Sequence, residues 1–157
     1  MKKLFLLVGF LVVLTTSERS FAHCEIPCGI YDDQTRIHLM EEYIATMEKS
    51  IYKIKELSGK KDPHSYNQIV RWIDNKDRHA EKFQKIVWQY FLTQRVKPAK
   101  PEDKEKYEKY IKQLELLHKL SFYAMKVKQN VDTKYTKKLY KLLNQFEKLY
   151  FGKKHSH

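Results

Sequence analysis

Long apolar runs are almost absent from this chain of 157 residues. The single one covers residues 4–14, and its 11 residues fall well short of the ~20 needed to span a membrane. Period-two alternation is nearly missing, so no sheet is expected. Only four glycines are present and none cluster, so the chain has no glycine-rich loop to cradle phosphates. Cysteine is confined to Cys24 and Cys28. A bridge between them would close a very small loop and stabilise little. Acidic residues are outnumbered, 19 Asp and Glu against 31 Lys and Arg, for a formal net charge of +12. That excess raises nucleic acid and anionic membranes as partners, but the lysines are interleaved with Glu and Asp and form no dense block. They read as solvated helix surface, with no nucleic-acid partner. A positive surface also attracts a small anionic substrate.

What is present begins with an export pattern. Lys2 and Lys3 precede the apolar run, and a short polar region follows it, ending in Ser20, Phe21 and Ala22. Small residues stand at the two positions a signal peptidase inspects. Cleavage after Ala22 makes 1–22 a signal peptide and His23 the first residue of a mature chain of about 135 residues. That length suffices for one domain with a real core. The mature charge is then about +10, because Lys2, Lys3, Arg19 and Glu18 leave with the signal. The expected location is the periplasm or the medium, with no stable membrane association once the signal is removed.

Beyond the cut, residues 23–31 form a short hook, and 32–151 read as four amphipathic helices followed by a flexible tail, 152–157. Asp32 or Asp33 caps a first helix to about residue 57, with Ile37, Met40, Ile44, Met47, Ile51 and Ile54 stepping by three and four. Gly59 is expected to end it. The second helix, 64–93, carries Ile69, Ile73, Ala80, Phe83, Val87 and Phe91. Pro98 and Pro101 mark a linker. The third, 102–130, is expected to turn Tyr107, Ile111, Leu114, Leu117, Phe122 and Met125 inward. The fourth, 132–150, offers Tyr135, Leu139, Leu142, Leu143, Phe146 and Leu149. Four such helices with short connections predict an all-α four-helix bundle.

The hook concentrates chemistry. Residues 23–28 hold a free α-amine, an imidazole, a backbone amide and two thiols, and the amine exists only after the cut. The His23 amine, the Cys24 amide nitrogen and the Cys24 thiolate form two fused five-membered chelate rings, which Cys28 closes into a square. Square-planar fields suit Ni(II) and Cu(II), whereas zinc prefers a tetrahedron. The His23 imidazole remains available from an axial direction. Pro27 and Gly29 tighten the loop. Thiolate and amide donors favour a higher oxidation state, so nickel here could move between Ni(II) and Ni(III). A Cys24–Cys28 disulfide is the other reading of two cysteines in an exported protein.

The motif His-Cys-x-x-Pro-Cys-Gly-x-Tyr-Asp, standing at residues 23–32, resembles the amino-terminal nickel hook of nickel-containing superoxide dismutases. Asp62-Pro63-His64, the run from Asn67 to Trp72 and the run from Tyr90 to Gln94 are also similar to that family. The resemblance implies a four-helix bundle assembled as a homohexamer that disproportionates superoxide to oxygen and hydrogen peroxide. It implies nickel held by His23, Cys24 and Cys28, with the His23 imidazole axial in the oxidised state and Tyr31 screening the open face. It further implies a cis peptide bond before Pro27 and a turn shaped by Asp32. In better-known members a glutamate on the first helix and an arginine on the second hold the axial imidazole. His38 and His79 stand at those places here, either rebuilding that support or, for His38, lying on the helix surface. The maturation route also departs, since many relatives remove a different leader with a dedicated protease. Two other classes compete: a secreted Ni- or Cu-binding protein without turnover, and a structural bundle with a Cys24–Cys28 disulfide. Tyr31 in the full Pro-Cys-Gly setting favours the enzyme, because a simple chelator does not need it.

Overall fold

A computed structural model describes residues 32–152; the signal segment, the hook with His23, Cys24, Cys28 and Tyr31, and the tail from residue 153 lie outside the described residues. Four helices follow one another: α1 (Asp33–Leu57), α2 (Pro63–Lys85), α3 (Lys104–Gln129) and α4 (Lys134–Phe151). The second runs without a break into a π-helical segment, π1 (Ile86–Arg95). No strand occurs among the described residues, and none of their helices is long and apolar enough to cross a membrane.

Three aspartates start the first three helices. The Asp32 carboxylate accepts the Thr35 N–H at 2.7 Å, Asp62 that of Ser65 at 2.9 Å, and Asp103 that of Lys106 at 3.3 Å. Each satisfies an amide that has no partner within its helix. Pro63 follows its cap at the one place where a missing N–H costs nothing. At the other end of α1 the expectation for Gly59 fails. Ser58 stays helical, gives its N–H to the Ile54 carbonyl at 3.0 Å and its hydroxyl to that of Lys55 at 2.8 Å. Among the described residues the left-handed conformation occurs only at Gly152, with φ +80°, where α4 ends.

Sequential neighbours pack around a ring, and α4 closes it against α1. Cross-contacts show that neighbours run antiparallel. Gln34 bonds Glu147 while Thr136 bonds Glu48, and Asn75 bonds Ser50 while Tyr90 bonds Asp33. The α1 stripe is buried as the periodicity predicts, from Ile37 to Ile54. On α4, Leu139, Leu142, Leu143 and Phe146 are buried, with Tyr135 and Leu149 half-buried.

Two stripes depart from expectation. On α2, Ile73 is exposed and Ile69 only half-buried, because α3 ends opposite Lys76 and leaves the first turns of α2 uncovered on that side. On α3 the core face is Gln113, Leu117, Leu120, Ala124 and Val127; of the expected set only Leu117 is buried, while Ile111 and Phe122 are exposed. This helix carries two apolar stripes, and a small residue such as Ala124 fits the close approach of its neighbours better than Phe122 does.

Lys76 marks the junction. It is 2 % exposed, and its ammonium donates to the Val127 carbonyl at 2.8 Å, the Lys128 carbonyl at 2.7 Å and the Asp77 carboxylate at 2.7 Å. A cation from α2 thus satisfies the last carbonyls of α3, where the helix dipole is negative.

Candidate metal centre

The hook joins the bundle at the first residue of α1. Tyr31 is two residues from Asp33 and Cys28 five, so no more than ~18 Å of extended chain separates the second thiol's Cα from that of Asp33. In an antiparallel ring this end also collects the end of π1 and the last turn of α4.

Four side chains from those three elements meet there. The Asp33 carboxylate accepts the Tyr90 phenol on Oδ1 and the Tyr150 phenol on Oδ2, the latter at 2.7 Å. Arg95 Nε lies 2.8 Å from Asp33 Oδ1, and Arg95 Nη2 donates to the Tyr90 oxygen at 3.0 Å. The Arg95 guanidinium also lies 4.8 Å from the centroid of the Tyr90 ring. Tyr90 and Arg95 are five residues apart, which an α-helix would set on different faces. The i→i+5 register of π1 stacks them. Burial, reinforced by the bond to Asp33, pushes both phenols above their usual range, so both stay protonated at neutral pH. The Tyr90 hydrogen bond in turn raises Arg95.

Beside this cluster, between α1 and the α2–π1 helix, lies a cleft of about 320 Å³. Arg36, Lys82 and Lys85 line it with Tyr43, Gln89 and Tyr90, and no acidic side chain is among its described lining residues. Arg36 sits 5.3 Å from the Tyr90 ring centroid and Lys82 6.0 Å from that of Tyr43. A cleft with one sign of charge collects small anions.

The two histidines singled out in the sequence do not meet. His38 is exposed, with Nδ1 3.3 Å from Glu41 Oε2 one turn along α1. His79 gives its Nδ1 proton to the Asn75 carbonyl at 2.7 Å and packs in a T-shaped contact with Tyr43, at 5.5 Å between centroids. Tyr43, not His38, is the α1 ring against His79. Among the described residues no group of three His, Cys, Asp or Glu is placed to hold a metal ion.

A family model described as nickel-containing superoxide dismutase matches residues 18–154, nearly the whole chain and all of the hook. The chain belongs to that family. No curated protein and no solved structure matches it. As a nickel-containing superoxide dismutase it is an oxidoreductase that dismutes superoxide with nickel as its metal, and the bundle is the fold that membership implies. Membership also favours an enzyme over a secreted chelator without turnover. Sequence reasoning missed the cluster at the start of α1. Tyr90 stood in a run that resembles the family, but Asp33 looked only like a helix cap. Arg95 gave no signal at all, because its partner lies at a spacing that only a π-helix brings together.

Proposed function

We propose that this nickel-containing superoxide dismutase works at residues 23–31 of a mature chain beginning at His23. The donors are the His23 amine and imidazole, the Cys24 amide and thiolate, and the Cys28 thiolate. The observation that carries the reading is the family match across residues 18–154, which takes in every fixed position of the hook motif. Two thiolates with amine and amide nitrogens suit nickel, whereas the described helices offer no rival cage. Bound nickel supplies the one-electron exchange with superoxide by moving between its divalent and trivalent states.

The chain's own residues do the rest. Signal cleavage creates the amine, so the site cannot exist in the precursor. Tyr31, the tyrosine of the hook motif, would screen bound nickel and order water beside it. Water, or groups near Tyr31, deliver the two protons that two superoxide anions need to leave as oxygen and hydrogen peroxide. Arg36, Lys82 and Lys85 raise the local concentration of the anion beside the hook's anchor.

The domain reading keeps 1–22 as export signal, 23–31 as hook, 32–151 as bundle and 152–157 as tail, which places the enzyme in the periplasm or the medium. We further propose a homohexamer. Supporting it, Trp88 and Leu92 of π1 and Ile111 and Phe122 of α3 are exposed on the bundle, as are Tyr66, Val70 and Ile73 along α2. Apolar faces of this extent fit burial against further copies. A native mass spectrum of the exported protein tests the whole reading. The expected species is a hexamer of chains starting at His23 with one nickel each, active on superoxide. A chain two hydrogens lighter that cannot be loaded with nickel would instead mean a Cys24–Cys28 disulfide and would sink the proposal.

A further inference from the structure

The carboxylate of Asp33 makes more bonds than a helix start requires. Asp32 already caps α1 through the Thr35 N–H, so the first turn does not need a second acceptor. Asp33 instead reaches sideways, to Tyr90 and Arg95 on π1 and to Tyr150 on α4. The carboxylate and the guanidinium are 28 % and 23 % exposed, partly shielded from solvent screening. Their partners depend on π1 keeping its i→i+5 register, a helix form that is rare and concentrated at functional sites. Tyr90, whose hydroxyl is committed to Asp33, is also a wall of the cationic cleft. The residue two positions after Tyr31 is therefore tied to two other elements and to the cleft at once.

Resting on the functional reading above, we propose that Asp33 is a positioning residue for the metal centre: by binding Tyr90, Arg95 and Tyr150 it fixes the first turn of α1, to which the hook is covalently joined, and the orientation of the Tyr90 wall of the cleft. Asp33 touches neither metal nor substrate in this role. It acts through the short covalent link to Tyr31 and Cys28 and through the Tyr90 ring. Removing its charge leaves Arg95 facing the neutral end of an amide and forces one of the two phenols to seek another acceptor. The first turn of α1, to which the proposed ligands are joined by a short stretch of chain, then loses its tie to π1 and α4, and a shift there would pass to any metal those ligands held.

The test uses the processed, nickel-loaded protein and two variants, Asp33→Asn and Tyr150→Phe. Three readouts are taken together: the electron paramagnetic resonance spectrum of the oxidised nickel, kcat and KM for superoxide, and helicity with its thermal midpoint. In Asp33→Asn the helices are retained, the nickel spectrum is displaced and kcat falls about tenfold with KM unchanged, the scale on which outer partners of metal ligands act. Tyr150→Phe moves spectrum and kcat the same way by less. A lowered midpoint with the wild-type spectrum and kcat in both variants would overturn the proposal and leave Asp33 a purely structural tie. Should Asp33→Asn fail to fold, Tyr150→Phe decides alone by the same criterion. A wild-type protein without nickel signal or turnover would bring down the functional reading itself, which the variants cannot mimic.

Discussion

On the proposed reading, each thiol of the hook has a job that no neighbouring atom can take over. A serine hydroxyl does not ionise near neutral pH and is a poor ligand for nickel, so Cys24→Ser and Cys28→Ser should each lose nickel and dismutase activity. The described helices contain no cysteine, so their melting midpoint should stay close to wild type. Metal analysis beside circular dichroism separates the two effects, and a nickel-free variant that also unfolds would contradict this division. The phenols at the hook's anchor make a second, opposite kind of residue-level statement. Burial, then the bond to Asp33, raises Tyr150 above the unfolded value of 10.0. A group whose folded value is raised lends stability that is complete below the unfolded value and is lost as pH climbs towards the folded one. The denaturant midpoint should therefore fall as pH rises past ~10, and less steeply in Tyr150→Phe. Parallel slopes for the two proteins would show that Tyr150 is not held as described.

At the scale of the element, legibility depended on how one-sided each helix is. The α1 stripe from Ile37 to Ile54 alternates with charged residues and can face only one way, so its burial followed from periodicity alone. On α3 the pattern through Ile111, Leu114 and Phe122 is as regular as the one through Leu117, Leu120 and Ala124, and spacing cannot say which faces in. Nor does any residue type announce the change to i→i+5 bonding at Ile86, so the meeting of Tyr90 with Arg95 was invisible. The same holds for Lys76, which sequence alone would place on the surface. Its ammonium satisfies two terminal carbonyls of α3. Replacing it with Met keeps the volume but strands the Lys128 carbonyl and leaves that of Val127 only the long 3.4 Å bond from the Asn130 N–H, which should cost about 1–3 kcal/mol. Urea titration should show a lower midpoint with an unchanged slope. A shift under about 0.5 kcal/mol, as for ordinary surface positions, would mean that water replaces the ammonium without penalty.

Across the whole molecule the hook motif was legible because its proposed donors are contiguous in the chain, whereas the cluster around Asp33 is assembled from α1, π1 and α4 and exists only after folding. The charge distribution belongs to this scale. The mature chain's formal charge of about +10, carried mainly by α2, α3 and α4, sets a diffuse field, and the cleft beside the start of α1 concentrates it through Arg36, Lys82 and Lys85. For an anionic substrate such a field raises the encounter rate and is screened by salt, over a Debye length that shrinks from ~10 Å at 0.1 M to ~3 Å at 1 M. The kcat/KM for superoxide should therefore fall as ionic strength rises. The double variant Lys82→Gln, Lys85→Gln should start lower at low salt, decline more gently and meet the wild-type value near ~1 M, where the charges no longer reach the approaching anion. Stopped-flow measurement of superoxide decay over a salt series checks this. Equal slopes would assign the attraction to the diffuse charge of the bundle rather than to the cleft. A flat profile in both proteins would mean that encounter is not what limits the reaction, and that the lysines of α2 serve the surface alone.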